Sequence, residues 1–196
     1  MPTVFSSPCA RRMTVAAAAL LAPTAGLLAT APTEAVARDH CRGAHAAPST
    51  QTLRRAASAV VCLVNAERAQ HGLRALRGDR DLRRAAGRHS RDMVQRGFFS
   101  HVTPSGADLS DRLRRTGYIH GRGDRDVGET LAFGTGRPAT PRRIVAGWIA
   151  SHQHHRVLLG SALHEVGVGV AAGVPEPSGR VKGATYTLAT GVIDGR

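Results

Sequence analysis

The chain of 196 residues has few aromatic side chains, no internal repeat and only one long hydrophobic run. Because 42% of the residues are hydrophobic and none of this content is repetitive, collagen-like, coiled-coil and disordered chains are excluded. A single apolar run excludes a membrane protein with several spans. The remaining class is a globular protein. The length suggests about one domain, which is large enough to bury a sizeable core.

Acidic residues are in short supply, with 27 Lys and Arg against 14 Asp and Glu, a formal net charge of +13. Lys182 is the only lysine, and the arginines are scattered along the chain. The aromatic residues that could stack on bases (Trp148, Tyr118 and Tyr186) are too few and too dispersed for a stacking platform. We therefore expect no specific nucleic-acid partner, whereas anionic cell-wall polymers or membrane lipids could attract so basic a chain.

The one apolar run lies at the N-terminus. Arg11 and Arg12 precede residues 13–30, which are rich in Ala and Leu, and a small-residue site follows at 35–37. This order is typical of a signal peptide, which we predict over residues 1–37 with cleavage after Ala37, so that the protein is secreted. A retained membrane anchor is the alternative. Twin-arginine export is also open, although the residues after the arginine pair match it poorly.

Cysteine is scarce. Cys9 would leave with the signal peptide, so the exported chain would hold only Cys41 and Cys62. An even number of cysteines in an exported chain predicts one disulfide. A catalytic thiol is the alternative, but Cys62 lies within the apolar run 60–64, which indicates a core position.

Apolar residues first recur at helical spacing and later alternate. The pattern predicts helices over 52–70, 81–95, 107–115 and from Thr140, the last of which continues or restarts through His154 to Leu159. Strands are predicted over 166–171 and 184–189. The Gly-rich region 120–138 is expected to be irregular, with a short apolar piece at 130–133. Helices followed by an antiparallel hairpin predict an α+β domain.

Four ionisable residues each adjoin hydrophobic sequence: His101, Glu129, His154 and Glu165. Burial at such places demands a polar partner. Two imidazoles and two carboxylates are suited to a zinc site or to acid–base catalysis, although their wide spacing does not decide between a shared site and separate ones. The four side chains could also simply hold a cleft together through His–Glu pairs.

Several motifs occur in a fixed order along the chain: Cys62-Leu-Val-Asn65-Ala-Glu67-Arg68, Leu82-x-x-Ala85-Ala-x-x-His89-Ser90-x-Asp92-Met93, Phe99-Ser-His101-x-x-Pro104-x-Gly106, Gly117-Tyr118, Gly128-Glu129, Trp148-x-x-Ser151-x-x-His154 and Val166-Gly-Val-Gly-Val. In this order they resemble the bacterial branch of the CAP superfamily, the cysteine-rich secretory, antigen 5 and pathogenesis-related proteins, also called SCP-like domains. The resemblance gives a lead-in over 38–52 and a CAP domain over 53–196.

The resemblance implies a three-layer α-β-α sandwich with a central antiparallel sheet. It also implies a cleft of two His and two acidic residues that holds Zn²⁺ or another divalent metal in some members. His101 and Glu129 match the first two members of that set, and His154 and Glu165 stand in an exchanged order for the other two. We therefore predict His101 and His154 as metal ligands, with Glu129 and Glu165 beside them. Thr130, where the family usually has Asn, departs from the pattern.

The function expected from the resemblance is a secreted, non-enzymatic binding module for a lipid, a sterol or another small hydrophobic ligand, or for an extracellular partner. We expect the protein to be a monomer. No Ser or Cys lies next to a base in a recognisable triad, which argues against nucleophilic catalysis. The alternative is a metal-dependent hydrolase in which Zn²⁺ on His101 and His154 activates water and Glu129 or Glu165 acts as base.

Other polar residues are expected to be structural. On the first helix, Asn65, Glu67 and Arg68 would anchor loops by hydrogen bonds, and His89 with Ser90 would form a satisfied pair in the core. Tyr118 and Trp148 are expected in the core as well. His155 is expected in solvent but could replace His154 if its helix were rotated.

Overall fold

A computed structural model describes residues 40–120, 126–176 and 181–192 of the chain. The predicted signal peptide and its cleavage site lie outside the described residues. The elements, in chain order, are α1 (Leu53–Gln70), β1 (Arg77–Gly78), α2 (Arg80–Arg96), α3 (Leu109–Thr116), β2 (Val127–Gly134), a 3-10 turn (Arg137–Ala139), α4 (Pro141–Ala150), α5 (His152–Leu158), β3 (Glu165–Ala172) and β4 (Ala184–Gly191).

The strands form one sheet in the order β1-β3-β4-β2. β4 pairs antiparallel with both β3 and β2, while β1 adds two residues in parallel with β3. Helices α2 and α3 pack on one face of this sheet, and α1 and α4 pack on the other. The α+β class and the α-β-α sandwich are therefore confirmed, and β2 is an edge strand.

The alternation of valine and glycine in β3 explains how the layers fit. Val166, Val168 and Val170 are buried on the α1 and α4 side. A Cβ atom on Gly167 would lie 2.1 Å from the backbone nitrogen of Arg83, and one on Gly169 would lie 2.2 Å from that of Gly87. Only glycine lets α2 lie directly on the strand backbone at these positions. This close approach fixes α2 against the sheet.

The opposite face carries the larger core. Trp148 of α4 is buried there, and its indole nitrogen donates a hydrogen bond of 3.0 Å to the carbonyl of Leu131 in β2. Tyr118 is buried on the α2 side, so both aromatic residues lie in the core as predicted. The disulfide between Cys41 and Cys62 is also confirmed, with 5.7 Å between the two Cα atoms. A free catalytic thiol at Cys62 is thereby excluded.

One prediction needs correction. The region 120–138 is not simply irregular, because β2 runs through it and pairs with β4 along all eight of its residues. The helix that begins after Thr140 follows the second of its two predicted courses and restarts, since Ser151 adopts an extended conformation (φ −92°, ψ 118°) between α4 and α5. No helix within the described ranges is long and apolar enough to span a membrane.

Candidate functional site

A buried ion pair joins β2 to α3 at the edge of the sheet. Glu129 lies on β2 opposite Ala189 of β4, which places its side chain on the α2 and α3 face. Nη2 of Arg112 donates to both carboxylate oxygens of Glu129, at 2.8 and 2.9 Å. Both side chains are almost completely buried. Because both charges are buried, each has lost its hydration, and the ion pair compensates for that loss.

The same arginine also positions His101, which lies in the loop between α2 and α3. Nη1 of Arg112 donates to the carbonyls of His101 (2.8 Å) and Ala107 (3.1 Å). The Nδ1 atom of His101 lies 2.9 Å from Oε2 of Glu129. The His101 side chain is 56% exposed, against 3% for Glu129. The arrangement holds one ring nitrogen of an exposed imidazole against a buried carboxylate.

His154 of α5 is the second imidazole at this edge. Burial lowers the pKa of His154, and the charge of His101 lowers it further. His155 instead makes an edge contact with the ring of His71, 5.8 Å between centroids. His154, and not His155, lines the groove described below.

Glu165 does not join these residues. It opens β3 opposite Gly191 of β4, so β4 separates it from Glu129 and the pairing register offsets it by two residues. Its carboxylate accepts a hydrogen bond from the Tyr118 hydroxyl at 3.0 Å and lies 3.6 Å from Nη2 of Arg77. Of the four residues predicted from the sequence, His101 and Glu129 are therefore in direct contact, and Glu165 has other partners.

The divalent metal implied by the resemblance can be tested against these contacts. Both oxygens of Glu129 are already held by Arg112, and one also by His101. In the part of the chain that the structure describes, no group of three or more His, Cys, Asp or Glu side chains could hold a metal ion. The residues do not fit a centre with three or more protein ligands, and no chemical step is derived through one. His101 and His154 as a pair of ligands stay a prediction.

A groove of about 730 Å³ begins at His154 and runs between β2, the 3-10 turn and α4. Its walls are mainly apolar and include Leu131, Phe133, Ile144 and Trp148, with Gly147, Ser151, Arg137 and Arg143 completing them. Phe133 is 48% exposed and its ring meets that of Phe99, which is 46% exposed, at 4.9 Å between centroids. Two exposed aromatic rings in contact form an apolar surface beside the groove, which we call the aromatic lip.

The sequence model of the CAP family, described as the cysteine-rich secretory protein family, matches residues 61–178. This range is more than half of the chain, and it contains the edge of β2, the helices around it and both imidazoles. The chain belongs to the CAP family. Within this CAP domain, the ion pair of Glu129 and Arg112 and the groove beside His154 are the two features that a function must explain.

Several known proteins are similar to the chain in sequence or structure. The uncharacterized protein YkwD of Bacillus subtilis (strain 168) is 32% identical over 110 residues, 56% of this chain and 40% of YkwD. An extracellular protein containing an SCP domain from Bacillus anthracis str. Ames has 26% identity and a TM-score of 0.57, over 74% of this chain and 44% of that one. An outer surface protein from Borrelia burgdorferi has a TM-score of 0.55 at 15% identity, over 69% of this chain and 90% of that one, which shows the fold alone. The chain spans less than half of the first two proteins.

Sequence reasoning missed Arg112, the residue that organises the CAP site. Its signal was present, because Arg112 lies between Leu109 and Leu113 on the apolar side of α3, where a charged residue calls for a buried partner. The loop-anchoring roles of Asn65 and Arg68 are confirmed. Asn65 exchanges two hydrogen bonds with the backbone of Leu76, and Arg68 donates to several carbonyls, including that of Leu158 at 2.7 Å.

The prediction that His89 and Ser90 are a satisfied pair is only half correct. Ser90 donates to the Gly169 carbonyl and lies 2.9 Å from the Thr187 hydroxyl. His89 is buried with its Nε2 atom 2.9 Å from the carbonyl of Ser100. Its Nδ1 atom is also buried but has no hydrogen-bond partner among the described residues. One nitrogen of this histidine therefore makes no hydrogen bond to a described residue.

Proposed function

We propose that this CAP domain is an extracellular binding module that holds a lipid in the groove between β2 and α4. The observation that carries the proposal is the groove itself, whose volume and apolar walls are typical of sites for small hydrophobic ligands. The similarity to an extracellular SCP-domain protein supports an extracellular setting. No catalytic step is needed for this function.

The aromatic lip supports the same function. Large apolar side chains exposed in contact with one another cost free energy in water unless a ligand or partner covers them. Phe133 belongs to both the lip and the groove, so a ligand that leaves the groove would meet the lip. The lip could therefore cover the end of an acyl chain longer than the groove.

Two arginines give the groove a preference for charge. Arg137 and Arg143 line it and are exposed, and neither makes an ion pair within the residues that the structure describes. A cation beside an apolar wall matches an amphiphile with an anionic head group and a hydrocarbon tail. We therefore take a long-chain fatty acid as the simplest representative ligand.

The alternative of metal-dependent hydrolysis gains no support from the contacts. Glu129, a candidate general base, is held by Arg112 through both oxygens, and Glu165, the other candidate, lies on the far side of β4. A base bound in this way is poorly placed to accept a proton from water. Binding remains the function that the geometry supports best.

The protein contains its own fluorescent reporter for the test. Trp148 is the only tryptophan in the chain and lines the groove. Bromine atoms quench indole fluorescence at contact, so a dibrominated stearic acid bound in the groove should quench Trp148 in a saturable way. Unbrominated stearic acid should reverse the quenching by competition. These titrations are made on the purified protein.

Gly147 offers a matched pair of variants. It is exposed on α4, lines the groove and has no atom within 4 Å of the position that a Cβ would take. Gly147→Ala should leave binding nearly unchanged, whereas the larger side chain of Gly147→Leu should occupy the groove and weaken binding by at least about tenfold. Equal quenching in all three proteins, or no saturable quenching in the wild type, would contradict the proposal.

A further inference from the structure

A second cavity, of about 320 Å³, lies between α2 and α3, and its lining is strongly basic. Four arginines line it, namely Arg88 and Arg91 from α2 and Arg112 and Arg115 from α3. Asp92 is the one carboxylate in the lining, and it lies 3.5 Å from Nη1 of Arg96, which does not line the cavity. We call this cavity the arginine pocket.

Most of the positive charge in the arginine pocket is not compensated by the protein. Arg88, Arg91 and Arg115 are exposed, and none of them makes an ion pair or a side-chain hydrogen bond with any residue that the structure describes. Three cations converging on one cavity repel one another, and an anion placed among them would remove that repulsion. Scattered surface arginines would not create such a concave site.

Two buried nitrogen atoms beneath the pocket also lack partners. Arg112 uses both of its terminal nitrogens, but its Nε atom is buried with no hydrogen-bond partner among the described residues. Nδ1 of His89, which also lines the pocket, is likewise buried with no hydrogen-bond partner among the described residues. An unsatisfied buried polar atom is costly, and a ligand or a water held by a ligand is one way to satisfy it.

The chemistry of the lining identifies the class of ligand. Guanidinium groups bind phosphate through paired hydrogen bonds, and several of them are best neutralised by an anion with more than one charge. Nε2 of His89 faces the Ser100 carbonyl as a donor, so Nδ1 of the neutral ring is an acceptor that suits a hydroxyl group. We propose that the arginine pocket binds a small phosphate ester, with Arg88, Arg91 and Arg115 holding the phosphate and Arg112 and His89 beneath it.

The arginine pocket shares no lining residue with the groove, and its lining is basic where that of the groove is mainly apolar. The proposal therefore does not depend on the proposed function, and either one can fail alone. A phosphate ester can come from a soluble metabolite or from a lipid head group, and the two sources share the chemistry that the pocket recognises. The experiment uses glycerol 3-phosphate as the soluble probe.

The test is isothermal titration calorimetry of the purified protein with glycerol 3-phosphate at about 150 mM salt, where diffuse attraction is largely screened. The pocket variant is Arg88→Gln/Arg91→Gln. Its matched control is Arg80→Gln/Arg83→Gln, which removes the same charge from the exposed surface of the same helix outside the pocket. The substituted residues are all exposed, namely Arg80, Arg83, Arg88 and Arg91. Thermal unfolding checks that each variant is folded.

We expect the wild type and the control to bind glycerol 3-phosphate equally, and the pocket variant to bind at least about tenfold more weakly. Absence of saturable binding to the wild type would overturn the proposal. An equal loss in both variants would also overturn it, because attraction would then depend on net charge and not on the pocket.

A second arm identifies the source of the phosphate. Vesicles of phosphatidylcholine with phosphatidic acid are sedimented with the protein in the presence and absence of glycerol 3-phosphate. Displacement by the soluble ester, together with loss of sedimentation in the pocket variant alone, assigns a lipid head group to the pocket. If vesicles do not bind while calorimetry shows saturable binding, the proposal holds with a soluble phosphate ester as the ligand.

Discussion

The groove and the arginine pocket differ in almost every physical respect although one ion pair connects them. The groove has about 730 Å³ and mainly apolar walls, while the pocket has about 320 Å³ and four arginines. Arg112 lines the pocket and binds Glu129, which binds His101, and His101 interacts with His154 in the groove. One network of charged side chains thus supports two cavities that suit different ligands.

The difference shows how each cavity arises. Most of the pocket lining comes from a single face of α2, where residues three and four positions apart lie side by side. The groove is built from an edge strand, a 3-10 turn and two helices that are brought together only by the fold. Helical spacing therefore places most of the pocket residues side by side, but the packing of α3 is needed to complete the pocket, and the groove depends on the topology throughout.

The largest effect is expected from Arg112→Ala, which removes the shared support of both cavities. Glu129 would remain buried without its partner, and breaking a buried ion pair in this way costs about 3–5 kcal/mol of folding free energy. Urea unfolding followed by circular dichroism measures the loss. Arg114→Ala on the same helix, whose ion pair with Asp111 is about half exposed, should cost less than about 1 kcal/mol. If Arg112→Ala lost no more folding free energy than Arg114→Ala, the Glu129–Arg112 pair would not support the fold.

Acid should act on both cavities, because each contains one partly or fully buried histidine. Burial lowers the pKa of His89 in the pocket and, together with His101, that of His154 in the groove. The folded protein therefore binds fewer protons than the unfolded chain as the pH falls through the ordinary histidine value of about 6.5, and stability present above that pH is lost below it. The urea midpoint should be lower at about pH 5.5 than at about pH 7.5.

His154→Gln separates the contribution of the groove from that of the pocket. This variant should reduce the fall of the urea midpoint between the two pH values, since one of the two histidines no longer titrates. His152→Gln is the control, because His152 precedes it in α5 but is exposed. An identical pH dependence in wild type and His154→Gln would show that His154 does not contribute.

Gly147→Ala should strengthen the fold slightly while leaving both cavities open. Gly147 is exposed in the interior of α4, and a Cβ there meets no neighbouring atom. Replacing glycine by alanine at such a helical position stabilises by roughly 0.5–1 kcal/mol. The urea midpoint should rise accordingly. A fall would mean that the wall of the groove cannot accept even one added carbon atom.

The smallest change is expected from His101→Ala. Its ring is largely exposed, so stability should change by less than about 1 kcal/mol. Because the charge of His101 lowers the pKa of His154, removing it should move that pKa upwards, towards but not up to the ordinary value, since burial remains. An NMR titration of the His154 ring measures the shift. An unchanged pKa of His154 would show that the charge of His101 does not act on it.

Much of the fold could be predicted because its signals are local. Helical spacing predicted α1, α2 and α3 to within two residues, and the Val-Gly alternation predicted β3. β2 was missed because Gly128, Glu129 and Gly134 weaken its strand pattern, and full-length pairing with β4 makes it a strand nevertheless. A Cβ on Gly128 would lie 2.7 Å from the Val157 side chain, so glycine is favoured here by packing that the sequence does not display.

The candidate site was only partly predictable for a similar reason. His101 and Glu129 are in contact, as the sequence suggested, while the choice of His154 over His155 as the site histidine stays a prediction. Whether Glu165 joined them depended on the strand order and on the register across β4, which no local pattern contains. The arginine pocket was hidden in a basic composition, because only the packing of α3 against α2 distinguishes lining arginines from the rest.

The central claim is that the protein has two independent binding sites of opposite chemistry. The most direct measurement titrates three proteins, the wild type, Gly147→Leu and Arg88→Gln/Arg91→Gln, with both dibrominated stearic acid and glycerol 3-phosphate. We predict that Gly147→Leu loses only the fatty acid and that the arginine variant loses only the phosphate ester. If both variants lost both ligands, or if each lost neither, the account of two separate sites would be contradicted.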